Sequence, residues 1–437
     1  MERKKFYLVS LGCAKNTVDS ERVAKLLSQK FEPTNDPTEA DLILVNTCAF
    51  IDPAKEESIE TIIDLSRVKK REAKLAVFGC LVNRYGEVLK RELHEADLLF
   101  PTEPYREVCQ TFDLKSCDLK KRLLLTPPTY AYLKISEGCN RTCAFCAIPQ
   151  IRGPYRSRPV EELVEEARYL VETYGVKELV IVSQDTSYYG KDLYGEFALP
   201  RLLDELQKLP VKWIRLHYLY PSKEVFALVD YLLKGSEKVL PYLDLPIQHA
   251  SDRVLKAMRR GHSADFLKKL LHSAREKLGE NAVFRTTVIV GFPAEGQKEF
   301  EELLKFVEEF EFDYLGVFKY YHEEGTPAWE TFEDSVPEEE KEERKRTLEA
   351  VQSVISERRL SRFLETEQEV LVEGVDEDFG LVPVGRTWFQ APEVDGMTYL
   401  ETFSPDGEEF KPEVGKEIKA FLTQLEGVDF KAVPLGD

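Results

Sequence analysis

The 437-residue chain carries 79 Asp and Glu against 60 Lys and Arg, a net charge of -19, with 43% hydrophobic and 32% charged residues. Its length predicts about two to four domains; its charge argues against direct nucleic-acid binding, which needs a surplus of Lys and Arg, and for a basic protein partner. No apolar run approaches the ~20 residues of a membrane span, and Phe6 to Leu11, behind the basic start Met1-Glu-Arg-Lys-Lys5, is too short for a signal-peptide core, so a cytoplasmic protein is expected.

Residues 1–122 alternate strand and helix. Phe6 to Leu11 reads as a strand, Ser20 to Lys30 as a helix, Leu42 to Asn46 as a strand and Pro53 to Arg67 as a helix; Leu75 to Gly79 is a third strand, followed by a helix over Tyr85 to Leu93. This predicts a doubly wound parallel α/β domain. Pro127-Pro128 marks a boundary. Over 126–362 the candidate strands are Tyr130–Ser136, Leu179–Ser183, Lys212–Tyr218, Tyr242–Pro246, Val283–Val290 and Asp313–Phe318. Separated by amphipathic helices, they predict a partial (β/α)6, TIM-like barrel with its chemistry at the strands' carboxyl ends. The charged run Glu338 to Arg346 starts a long helix and reads as a solvated face. Over 366–437 short β runs at Glu369–Glu373, Gly380–Arg386, Met397–Thr402 and Glu417–Leu422, broken by Gly, Pro and Asp, suit a small antiparallel β-barrel.

Eight cysteines in a chain without a secretory signal point to metal ligation or catalysis before disulfides. Cys139, Cys143 and Cys146 are separated by spacers of three and two residues, directly after the first barrel strand. Such a loop can wrap one four-iron, four-sulfur cubane with three thiolates and leave the fourth iron free for the amino and carboxylate groups of S-adenosylmethionine. A structural zinc knuckle is the competing reading and needs a fourth ligand nearby. Cys13, Cys48 and Cys80 each follow a predicted parallel strand by one or two residues. Carboxyl ends of neighbouring strands line one crevice, so the three should converge on a second cluster; the bland alternative is three buried core thiols. Cys109 and Cys117 share no such pattern and read as structural or incidental.

Several stretches resemble the methylthiotransferase family of radical S-adenosylmethionine enzymes, over essentially the whole chain. They are Leu11-Gly-Cys-Ala-Lys-Asn16, Asn46-Thr-Cys-Ala-Phe-Ile51, the three-cysteine loop with Ala147-Ile-Pro149, Val182-Ser-Gln-Asp-Thr-Ser187, Leu245-Pro-Ile-Gln-His249 and Gly385-Arg-Thr-Trp-Phe-Gln-Ala-Pro-Glu-Val-Asp-Gly396. Gln184-Asp-Thr, His249 and the last stretch resemble the branch that modifies an aspartate of small-subunit ribosomal protein number twelve, rather than the tRNA-modifying branch. Charge favours the same choice: from Thr366 to Asp437 there are 17 acidic and 5 basic residues, a net of 5 - 17 = -12. The family's terminal module, called TRAM, is generally expected to bind RNA, and one this acidic would repel phosphate and attract a basic ribosomal protein, free or in the ribosome; the bland alternative is acidity that only aids solubility.

The resemblance implies two [4Fe-4S] clusters, two molecules of S-adenosylmethionine, a sulfur source and an electron donor. The loop cluster would generate a 5'-deoxyadenosyl radical that removes hydrogen from the aspartate β-carbon, and the cluster on Cys13, Cys48 and Cys80 would carry the sulfur and accept a methyl group. For the cofactor pocket, Phe145 is placed against adenine or in the core, and backbone near Ile148 at the adenine edge. Gln184, Asp185 and Gln248 follow barrel strands and should face the site. His249 reads as a satisfied loop histidine before a proton carrier. Ile289-Val-Gly291-Phe-Pro293-Ala-Glu295 resembles the family's adenine strand, with Ala294 and Gly296 departing from the commoner pattern, which weakens any contact assigned to Glu295. Outside the family, a non-catalytic iron-sulfur or zinc scaffold is the remaining reading.

Overall fold

The structure, a computed structural model, describes residues 3–376, 382–403, 407, 409–410 and 413–435. Leu42–Thr47 is buried along its whole length, and a strand covered on both faces needs helical crossovers to its parallel neighbours. It is β3 of a five-stranded parallel sheet with β1 (Lys4–Ser10), β2 (Phe31–Pro33), β4 (Lys74–Gly79) and β5 (Leu98–Phe100), in the order β2-β1-β3-β4-β5. The helices are α1 (Ala14–Leu27), α2 (Asp52–Val68), α3 (Cys80–Glu92) and α4 (Tyr105–Thr111).

Two helices start earlier than their sequence predicts. α1 begins at Ala14, not Ser20, because the polar Asn16 is not a loop residue: its side chain bonds back to the carbonyls of Leu11 and Thr47. α3 begins at Cys80, not Tyr85, since Gly79 turns straight into it at φ 102°, and the non-helical φ of Tyr85 interrupts its pattern. β2 and β5, three residues each, are too short to show a period. Cys109 and Cys117, which the sequence left unpaired, form a disulfide joining α4 to the chain beyond it.

The second unit holds β6 (Tyr130–Lys134), β7 (Ser136–Glu137), α5 (Ile148–Arg152), β8 (Arg156–Ser157), β9 (Glu178–Val182), β10 (Trp213–Leu216), β11 (Tyr242–Asp244), β12 (Val283–Val290) and β13 (Tyr314–Lys319). Two parallel three-stranded sheets, β10-β9-β6 and β11-β12-β13, meet where Ile214 donates to Lys238 and Leu219 to Asp244. The six strands make an open half-barrel whose apolar residues pack against the surrounding helices.

The charged start of the helix Glu338–Leu360 is exposed at Glu338, Glu339, Glu343 and Arg346, as read from the sequence, but two of its cations depart from that reading. Lys341 and Arg344 are buried, not solvated: Arg344 donates to Glu295 at 2.6 Å, and Lys341 reaches both oxygens of Asp334. Partners inside the fold make those burials tolerable.

The last unit is a closed barrel of β14 (Glu367–Asp376), β15 (Val382–Arg386), β16 (Thr398–Leu400), β17 (Glu417–Glu426) and β18 (Asp429–Pro434). Gly380 and Leu381 of the predicted β run lie outside the described residues. The expected all-antiparallel pairing fails once, at β16 with β18, which run parallel. A closed ring with an odd number of strands cannot alternate direction throughout. The stretch Gly385 to Gly396 plugs the amino-terminal mouth of the half-barrel. Arg386 pairs with Glu178 at 2.8 Å, Asp395 accepts from the Tyr242 hydroxyl at 2.6 Å, and Glu393 accepts from Tyr130 and Tyr132. None of the helices in the described residues is long and apolar enough to cross a membrane.

Candidate metal and cofactor site

Cys13 caps α1, Cys48 follows β3 and Cys80 opens α3. Because β1, β3 and β4 are bonded neighbours, the three thiols emerge side by side. The packing is tight: a Cβ on Gly12 would lie 2.9 Å from Cys48 Cβ and 3.1 Å from its Sγ, and one on Gly79 only 2.3 Å from Asn46 Oδ1. Asn16 joins the strand ends, donating to Leu11 at 2.7 Å and Thr47 at 3.1 Å, with Cys80 Sγ 3.9 Å from its Oδ1.

Two cations face this trio. Lys15 lies 3.7 Å from the Tyr218 ring centroid and acts on Cys13. Arg152, the last residue of α5, crosses from the half-barrel: it donates to Asn16 Oδ1 at 2.5 Å and to both oxygens of Glu137 at 2.8 and 3.0 Å. Burial raises the Cys13 pKa, but Lys15, Arg152 and the amides of Asn16 and Lys15 outweigh it, and the net shift is down. Burial dominates at Cys48, which is raised, and at Cys80, pushed up to about 12 despite Arg152.

The second trio lies beyond β7. Cys139, Cys143 and Cys146 line a cavity of 410 Å³ with Arg141, Gln150 and Arg259. The Arg141 amide donates to Cys139 Sγ at 3.4 Å, and the Arg260 guanidinium to Cys143 Sγ at 3.3 Å. Burial pushes Cys139 up to about 11 and Cys146 to about 12, the latter partly offset by the Ile148 amide. Donors aimed at sulfur suit bound thiolates, because each stabilises the negative form. Three thiols open to one cavity, with no fourth Cys or His among its lining residues, fit a cluster with one free iron better than a closed zinc site.

The other predicted residues divide. Asp185, buried behind Cys139, accepts from Arg141 Nε at 2.7 Å and Ser187 at 2.6 Å. Gln184 is half-buried beside it. Gln248 has φ 70°, and its Oε1 is buried without a hydrogen-bond partner among the described residues. Phe145 is half-buried against Val254, Met258 and Phe292. The Gly291 amide donates to Glu295 Oε1 at 2.7 Å, and a Cβ there would lie 2.3 Å from Lys341 Cγ. Ser251 N–H donates to His249 Nδ1, which leaves Nε2 to donate to Glu295 Oε2 at 2.7 Å. His249 is thus a satisfied buried histidine, and Glu295 is spent on it, on Gly291 and on Arg344.

Sequence reasoning missed the charges between the trios. Lys134 is buried among Asp19, Glu103 and Glu137, bonding Glu137 at 2.8 Å. These carboxylates lie close enough to hold a cation, and the Lys134 ammonium is that cation. Burial raises the Glu137 pKa, but Lys134 and Arg152 hold it well below the carboxylate range. Arg22 with Glu166, and Arg122 with Glu21 and Glu166, extend the docking between sheet and half-barrel. Lys15 carried a signal, standing two residues from Cys13; Arg152 carried none.

Three family models match the chain: the uncharacterized protein family UPF0004 over residues 5–101, the Radical SAM superfamily over 133–307 and the TRAM domain over 366–434. Among curated relatives, the ribosomal protein uS12 methylthiotransferase RimO of Aquifex aeolicus is 54% identical over 400 residues, covering 91% of each chain. RimO of a Sulfurihydrogenibium species is 46% identical, covering 93% of this chain and 94% of its own. RimO of Chloroherpeton thalassium is 42% identical over 98% of both. Among solved structures, the radical S-adenosylmethionine methyltransferase TsrM from Kitasatospora setae, with cobalamin and a [4Fe-4S] cluster bound, shares the fold at TM-score 0.53 and 14% identity, over 73% of this chain and 75% of that one.

Proposed function

The chain belongs to the RimO family of radical S-adenosylmethionine methylthiotransferases, and from that premise we propose that it methylthiolates the β-carbon of an aspartate in ribosomal protein uS12. Cys139, Cys143 and Cys146 hold a [4Fe-4S] cluster that binds S-adenosylmethionine; Cys13, Cys48 and Cys80 hold a second. The observation that carries the reading is the convergence of two separate three-thiol sets, each with cations facing it, in a chain of this family. When bound, the groups supply a 5'-deoxyadenosyl radical for an unactivated C–H bond and the sulfur of the methylthio group, chemistry beyond side-chain acids and bases.

The protein's part is holding and shielding. Arg152 and Lys15 offset the negative charge of the amino-terminal thiolates, which burial alone would protonate. Arg260 and the Arg141 amide do the same for the loop trio. Gln248 Oε1 offers an unused acceptor to a ligand N–H, such as the cofactor's ammonium or adenine amino group. Asp185 fixes Arg141 beside Cys139. The plugged amino-terminal mouth leaves the cysteine end for entry. An electron donor and a sulfur source are required, the substrate is a basic protein, nucleic acid is not bound directly, and the work is done in the cytoplasm.

Anaerobic turnover with uS12 and with tRNA side by side, read by mass spectrometry, tests this. Methylthiolation of the protein alone is expected; modification of tRNA alone would move the chain to the tRNA-modifying branch.

A further inference from the structure

Beside the cysteine-loop cavity lies a second cavity of 570 Å³, lined by Asp252, Lys256, Arg259, Arg260 and His262, and Arg259 borders both. The helix Asp252–Ala257 ends here. Arg260 N–H bonds to Leu255 O at 2.9 Å and Arg259 N–H to Lys256 O at 3.1 Å. That closure puts Arg259 at φ 55°, in the left-handed conformation a helix end ordinarily gives to glycine. An arginine there costs stability, and no hydrogen bond or ion pair among the described residues offsets that cost, its side chain being exposed.

The neighbouring cations are occupied. Arg141 is held by Asp185, and Arg260 by Cys143 Sγ and Pro246 O. Asp252, the acid lining this second cavity, accepts from Ala264 N–H at 2.7 Å. Among the described residues, Arg259, which borders the thiol cavity, and Lys256, beside it in the second cavity, are therefore unpaired positive charges, on a protein of net charge -19. Such a local reversal of sign concentrates an anion.

We infer that Arg259, assisted by Lys256, receives the side-chain carboxylate of the substrate aspartate; this rests on the proposed aspartate target. The reacting carbon is bonded directly to that carboxylate. A planar guanidinium that grips both oxygens fixes rotation about the Cα–Cβ bond and so selects which β C–H faces the cavity. The same fork disfavours asparagine, whose amide would turn an N–H toward the cation.

The test uses reconstituted holoenzyme, wild type and Arg259→Gly, with uS12 and its target Asp→Asn variant. Arg259→Gly relieves the backbone, so its melting temperature should equal or exceed wild type, with iron content and S-adenosylmethionine dissociation constant unchanged. Its kcat/KM on uS12 should fall roughly 10- to 100-fold, the worth of a charged hydrogen-bonded contact, and Arg259→Lys should recover part. Wild type should bind the Asn variant more weakly than the Asp form, and Arg259→Gly should not distinguish them. Unchanged kcat/KM, or discrimination that survives in Arg259→Gly, overturns the site. Weaker S-adenosylmethionine binding overturns it too, by showing that the carboxylate served is the cofactor's. Failure of wild type to modify uS12 at all would sink the wider functional reading along with this one.

Discussion

The two cysteine trios are assembled in different ways. The loop trio occupies residues 139–146, inside one turn of chain after β7, whereas the amino-terminal trio is collected from the ends of three adjacent strands between residues 13 and 80. The first is a property of local sequence; the second exists only while the parallel sheet holds register and Asn16 ties its strand ends. Damage to the sheet should therefore cost one site and spare the other.

The largest separation is expected from the thiols themselves. Cys143→Ala should abolish reductive cleavage of S-adenosylmethionine, seen as loss of 5'-deoxyadenosine. Cys48→Ala should still cleave it yet transfer no methylthio group. Full cleavage by the first variant, or normal transfer by the second, would break the division.

Next comes a change that touches no thiol. Gly79 sits at φ 102° with a would-be Cβ 2.3 Å from Asn46 Oδ1 and 2.8 Å from Thr47 O. Gly79→Ala should force apart the strand ends of Cys48 and Cys80, dropping reconstituted iron from about eight to about four per chain while 5'-deoxyadenosine formation persists. Full iron content would show that the trio tolerates a looser sheet.

Arg152 links the two regions, and Arg152→Met should cost about 3–5 kcal/mol, because Glu137 and Asp19 lose a buried partner. Urea titration measures it. The pH dependence follows from sign. Glu137 and Glu166, the latter held at about 2 by Arg22, Arg158 and Arg122 against burial, have pKa values depressed on folding. Their contribution is complete above the ordinary carboxylate range and is lost as pH falls from there toward 2. Arg152→Met should flatten that acid limb, and an unchanged limb would place the network's stability elsewhere.

The smallest effect concerns the metal-free protein. At pH 8, Cys13 should alkylate before Cys80, because its pKa is lowered while that of Cys80 is raised to about 12. Mass spectrometry of iodoacetamide-treated apoprotein would show the order, and Cys80 reacting first would contradict it.

What was legible in sequence follows the same contrast. The loop trio needs only its spacing, and the other trio needed only the recognition that three cysteines share one register after parallel strands. Helix starts were lost where polar side chains serve backbone carbonyls, as Asn16 does. Buried cations were invisible: Arg152, Lys134, Lys341 and Arg344 are residue types that ordinarily face water, and only their partners in three dimensions explain their burial. Gly385 to Gly396, quoted for its resemblance, proved to hold the barrel against the strand ends remote from the cysteines.

The measurement that bears most directly on the account is iron, sulfide and zinc analysis with Mössbauer spectroscopy on anaerobically reconstituted wild type and on the Cys13, Cys48, Cys80 triple alanine variant. About eight irons falling to about four, all as [4Fe-4S] clusters, is the predicted result. Equal iron in both proteins, or stoichiometric zinc in the wild type, would contradict a second cluster on the sheet.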